Sequence, residues 1–91
     1  MSDQTIWKYE LAIEDVQTRR MPAGAKVLHV DAQHGHPCMW AMVDPYAAKV
    51  ARTFLIRGSG HPAAGARAEN HVGTVLVDAD FLVIHVFEDY S

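Results

Sequence analysis

Apolar residues in this chain recur at every second position far more often than at every third or fourth, and that period limits the fold more than any other feature. Side chains of a strand alternate between two faces, so a period of two predicts strands half buried in a sheet. In residues 5–13, Trp7, Tyr9, Leu11 and Ile13 fall on one face while Lys8 and Glu10 fall on the other. Residues 14–20 are polar, and Met21-Pro22-Ala23-Gly24-Ala25 supplies the fixed φ of proline and a permissive glycine, which predicts a turn. Residues 26–32 place Leu28 and Val30 opposite Val27 and His29, and Gln33-His34-Gly35-His36-Pro37 breaks that strand. Residues 38–43 set Trp40 and Met42 against Met39, Ala41 and Val43, so the two runs form a hairpin.

Asp44-Pro45 is a turn signal, and residues 46–49 suit one helical turn. Residues 50–57 return to alternation, with Phe54 and Ile56 opposed to Thr53, Leu55 and Arg57. Gly58-Ser59-Gly60-His61-Pro62 then stops the chain abruptly, and residues 63–70 read as an irregular excursion. Residues 72–77, the turn at 78–80 and residues 81–88 make a final hairpin whose last strand is apolar on both faces. Six short strands joined by tight turns predict one all-β domain over residues 1–91, an antiparallel sandwich or small barrel with the last strand central. The apolar run at 81–87 has little chain to cover both its faces, which predicts a homo-oligomer.

A length of 91 residues leaves no room for a two-lobed enzyme, and 49% hydrophobic with 21% charged residues is too apolar for disorder. The net charge of −3 removes the electrostatic footprint of general nucleic-acid binding. One cysteine, Cys38, cannot close an intramolecular disulfide, which points to a reducing compartment. The apolar runs are too short for a membrane span, and the start MSDQTIWKYE lacks the basic, then apolar order of a signal peptide, so the cytoplasm is the expected location with no membrane partner.

Among the six histidines, His34 and His36 with Cys38 offer zinc-type ligands. No second cysteine pair or HExxH pattern completes a site, so the sequence predicts neither metal nor cofactor. His85, set among Phe81, Val83 and Phe87, reads as a hydrogen-bonded core or interface histidine, and Cys38 as a small core residue; no catalytic residue is assigned.

The segment from Arg52 to His61 carries the chemistry of an anion site. Arg57 offers a forked guanidinium, Gly58 and Gly60 free the backbone to present N–H groups, Ser59 donates a hydroxyl, and His61 adds a donor or a stacking ring. Arg52 would stand at the rim, with Trp40 or Trp7 as a plane for a ligand ring. The loop matches neither the Walker pattern nor GxGxxG, and the plainer reading is a glycine turn after a strand with arginine exposed. A ligand site there predicts that Arg57→Ala weakens binding while hardly changing the fold.

Trp7-Lys8-Tyr9, Met21-Pro22 with Gly24-Ala25, Cys38 with Trp40-Ala41 and Val43-Asp44, Arg52 followed by Gly58-Ser59-Gly60-His61-Pro62, and the ending His85-Val86-Phe87-Glu88 together resemble a family of short, uncharacterised phage and prophage proteins. The likeness covers nearly the whole chain. Members more often carry Gly-Thr-Gly-His in the loop, and Ser59 keeps the hydroxyl. The resemblance implies a viral or prophage origin and action inside a bacterial host, with no established activity, cofactor or catalytic residue. The leading expectation is therefore a non-enzymatic binder of a small anionic, nucleotide-like ligand, one use of which is to sequester a host defence signal. The alternatives are a protein-interaction or virion-assembly module using exposed sheet edges and aromatics, and, last, a metal-dependent hydrolase using His34, His36 and His61.

Overall fold

A computed structural model describes residues 3–77 and 82–90. Its strands are β1 Thr5–Glu10, β2 Val16–Pro22, β3 Lys26–Gln33, β4 His36–Val43, β5 Lys49–Gly58, β6 His71–Val77 and β7 Leu82–Asp89. All pairings are antiparallel. They form a three-stranded sheet, order β1-β4-β3 (sheet A), and a four-stranded sheet, order β2-β5-β7-β6 (sheet B). Neither sheet closes on itself: β1 and β2 are free edges, so the architecture is a sandwich and not a barrel. The expectation of an all-β sandwich holds, and β7, the last strand, lies inside sheet B. No described helix is long and apolar enough to cross a membrane.

Alternation supplies the core. Met39, Ala41 and Val43 of β4 face Phe54 and Ile56 of β5, Val75 and Val77 of β6, and Ile84 and Val86 of β7. Phe54 and Met21 are fully buried, and each such side chain contributes about 1.5–3 kcal/mol relative to exposure. At one side the sheets meet: β3 and β6 approach so closely that a Cβ on Gly73 would stand 2.1 Å from Val30 Cγ2. A bulge in β6 between His71 and Gly73 accompanies this approach.

The described residues form seven strands where the sequence pattern predicts about six. The added one is β2, whose Val-Gln-Thr-Arg-Arg composition reads as polar loop. It is an edge strand, and only Gln17, Met21 and Pro22 of it are buried. Gln17 stays satisfied inside by exchanging hydrogen bonds with both backbone groups of Ala12, at 2.9 and 2.7 Å. Pro22 closes the strand, where a missing N–H costs no ladder bond. The first strand is shorter than residues 5–13: it ends at Glu10, leaving Leu11 buried but Ile13 55% exposed.

A bulge between Val27 and His29 corrects the facing in β3. It turns both Val27 and Val30 toward the core and leaves Leu28 outside with His29. The β3–β4 hairpin is as expected, its loop the two residues His34 and Gly35, both at positive φ (53° and 80°), the twist-matched turn of tight hairpins. That turn breaks the extended row that would align His34, His36 and Cys38; Cys38 is buried. Residues 46–49 make no helical turn. Asp44 instead accepts from the amides of Tyr46 (Oδ1, 3.0 Å) and Ala47 (carbonyl, 3.1 Å), an Asx-type turn. The expected turn at 78–80, and Phe81, lie outside the described residues; Val77 pairs with Leu82 across the hairpin.

Candidate functional site

β5 ends at Gly58, and the chain reverses through Ser59 and Gly60, with His61 N–H donating to Gly58 O at 3.1 Å and Gly60 at φ 82°. The His61 ring folds back over Gly58, where a Cβ would stand 3.3 Å from its Nδ1. Beside the turn lies a hollow of ≈ 320 Å³ lined by Asp15, Arg57, Gly58, His61 and Pro62 among others. Of the predicted loop residues, Arg57, Gly58 and His61 line this hollow, and Ser59 and Gly60 do not.

Its arginine is already engaged. Arg57 donates from Nε and Nη2 to Ala64 O (3.2 and 2.6 Å) and from Nη1 to Asp15 O (2.8 Å) and Ile56 O (2.9 Å). A guanidinium has five N–H groups, so one remains for a ligand and the fork is not open to a phosphate. What Arg57 holds is the excursion after the loop, which lies over the outer face of sheet B. Leu55, an outward-facing residue, is for that reason only 3% exposed, and a Cβ on Gly65 would stand 3.7 Å from its Cδ1. Arg57→Ala is therefore expected to loosen residues 63–66 and to cost about 1–2 kcal/mol, the scale of hydrogen bonds to a charged donor at a half-exposed position. Faster amide exchange across that segment, together with a lower urea midpoint, is the measurement; unchanged exchange there would count against the clasp.

The other predicted residues do not join the loop. Arg52 is five positions before Arg57 and so faces the opposite side of sheet B. There it forms a two-pronged pair with Glu88, Nε to Oε2 at 2.7 Å and Nη2 to Oε1 at 2.8 Å, and Nη1 donates to Ala25 O. Tyr90 Oη donates to Glu88 Oε1 at 2.9 Å. The hydrogen bond to Glu88 pushes the Arg52 pKa up, and burial, with the same glutamate, raises that of the Tyr90 phenol. Both tryptophans belong to sheet A: Trp7 packs on the core with Lys49 Nζ 5.6 Å from its ring, and Trp40 faces outward, 6.2 Å from the His29 ring.

Ser59 has a partner that the sequence alone does not pick out. Its Oγ lies 2.7 Å from His85 Nε2, His85 Nδ1 lies 2.9 Å from Thr74 Oγ1, and Thr74 Oγ1 lies 3.0 Å from His71 Nε2. Pairing of Arg57 with His85 and of Thr74 with His85 in sheet B sets Ser59, His85, Thr74 and His71 in one row, with Ser59 26 positions from His85. The expectation of a hydrogen-bonded His85 matches this geometry. Among the described residues, no three His, Cys, Asp or Glu side chains stand together as a metal-binding group.

A second surface is apolar. On the outer face of sheet A a shallow hollow of ≈ 410 Å³ is lined by Ile6, Leu28, His29, Ala32 and Trp40, with Asp31 and Gln33 at its border. Ile6 is 54% and Leu28 45% exposed. Lys8 reaches Gln33 Oε1 at 2.7 Å along its rim.

The fold and these two surfaces define a small two-sheet β-sandwich domain. The chain belongs to the family described as a domain of unknown function, DUF7352, whose pattern matches residues 2–91. Neither the curated proteins nor the solved structures contain a match to it.

Proposed function

We propose that this protein is an interaction module whose working surface is the outer face of sheet A, and that a second copy of the same chain occupies it. The observation that carries this reading is the apolar surface left open there, Ile6, Trp40 and Leu28, one from each strand of sheet A. A small domain that leaves such residues contiguous gains by covering them. The rim carries both signs, Lys8 and Lys26 with Glu10 and Asp31, all exposed, so a two-fold axis can set unlike charges across the contact. Within this reading belong the phage or prophage setting and the intracellular location that the resemblance implies.

Sedimentation equilibrium from micromolar to sub-millimolar concentration tests it. The wild type is expected at twice 10.1 kDa at the upper end, and Ile6→Asp with Leu28→Asp at 10.1 kDa with an unchanged melting temperature. A wild type at 10.1 kDa throughout would overturn the proposal. One observation favours a second reading, a small anionic ligand such as a nucleotide signal: the hollow beside Arg57, Gly58 and His61. Stabilisation on heating with phosphate or nucleotides, lost in His61→Ala, would support that reading.

A further inference from the structure

We propose that Ser59 is a nucleophile with His85 as its general base, a site for attack on small activated esters that goes beyond the docking reading and uses the other sheet. The hydrogen-bond inventory of the row gives it a direction. Neutral imidazole has one donor and one acceptor, and a hydroxyl has one proton to give. With the proton on Nδ1, His85 donates to Thr74 Oγ1, Thr74 donates to His71 Nε2, and Nε2 of His85 is left to accept the Ser59 proton. The 2.7 Å contact lies within the range for a nucleophile and its base, and a third group on the far nitrogen orients the base. Thr74 is thus a positioning residue, and His71 fixes the direction of its hydroxyl.

The surroundings fit acyl transfer. Ser59 is exposed in a turn. The N–H of Gly60, directly after it, makes no hydrogen bond among the described residues and is free to face a developing oxyanion. Ser59 and Gly60 are both exposed, so a small ester can reach Oγ from solvent. In the reaction, Ser59 Oγ bonds to the ester carbonyl carbon and its proton passes to His85 Nε2. The carbonyl π pair moves to oxygen, then re-forms the double bond as the bond to the leaving alcohol breaks, and the Nε2 proton goes to that alkoxide. Water hydrolyses the acyl-serine by the same route.

A fluorophosphonate probe tests the site directly: the Oγ–P bond forms, the P–F bond breaks, and fluoride leaves with the serine proton. Intact mass and peptide mapping are expected to place one adduct on Ser59 in the wild type and none there in Ser59→Ala, an exposed change that keeps the fold. His85→Gln, checked by its melting curve, should slow labelling by about a hundredfold, the scale of general-base assistance. Thr74→Val should slow it and Thr74→Ser should restore it, a pattern that a merely structural strap would not give. No adduct on Ser59 in the wild type, or equal labelling rates in Thr74→Val and Thr74→Ser, would overturn the proposal.

Discussion

Arg52→Ala is expected to cost the domain about 3–5 kcal/mol, the loss found when one partner of a buried ion pair is removed and the other charge stays behind. The Arg52 side chain is 18% exposed and that of Glu88 5%, so the glutamate left alone would keep little water around it. Among the described residues, the Tyr90 hydroxyl alone would still donate to its side chain. Domains of this kind hold about 5–15 kcal/mol in all, so the variant should be unfolded by mild urea. The pair also ties separate parts of the chain, since Arg52 lies on β5, Glu88 on β7 and Ala25 just before β3. Arg52→Met with Glu88→Leu should recover much of the loss by removing both charges together. A single variant within about 1 kcal/mol of wild type in urea unfolding would show that the pair does not hold these strands.

Gly73→Ala is expected to cost about 3 kcal/mol, at the upper end for overpacking, because the added methyl would lie far inside contact distance of Val30 Cγ2. Neither side yields easily. Val30 is a buried residue of β3, and Gly73 stands at the β6 bulge where the two sheets touch. Val30→Ala in the same chain should return most of that stability. Strictly additive losses in the double-mutant cycle would mean that β3 and β6 do not meet at this pair.

How far the sequence reveals this molecule depends on whether one strand or two carry the signal. β4 and β7 are legible because a central strand must hide one face completely, and the alternation of Met39, Ala41 and Val43 or of Ile84 and Val86 records it. β2 is not, because an edge strand needs only a few buried residues and its arginines mask them. The bulge at Val27 and His29 escapes for a related reason: one extra residue shifts the facing without changing composition. The candidate loop shows the same divide. Gly58 to His61 announces a turn, whereas the fate of Arg57 depends on Asp15 and Ala64, and that of Ser59 on His85. Those partners come from sheet register, which no local pattern encodes.

The two free edges also set a limit on growth. β1 and β2 each present a row of unpaired backbone groups, the ordinary template for adding another chain strand by strand without end. Here the template is spoiled. β1 carries Lys8 and Glu10, β2 carries Arg19 and Arg20 and ends in Pro22, and Arg19 bridges the gap by donating from Nε and Nη2 to Glu10 O at 3.2 and 3.0 Å. Copies stacked by sheet faces use up their contact surface after two, whereas copies joined by edges always expose a fresh one. The charge and proline on β1 and β2 therefore oppose open-ended growth into fibres.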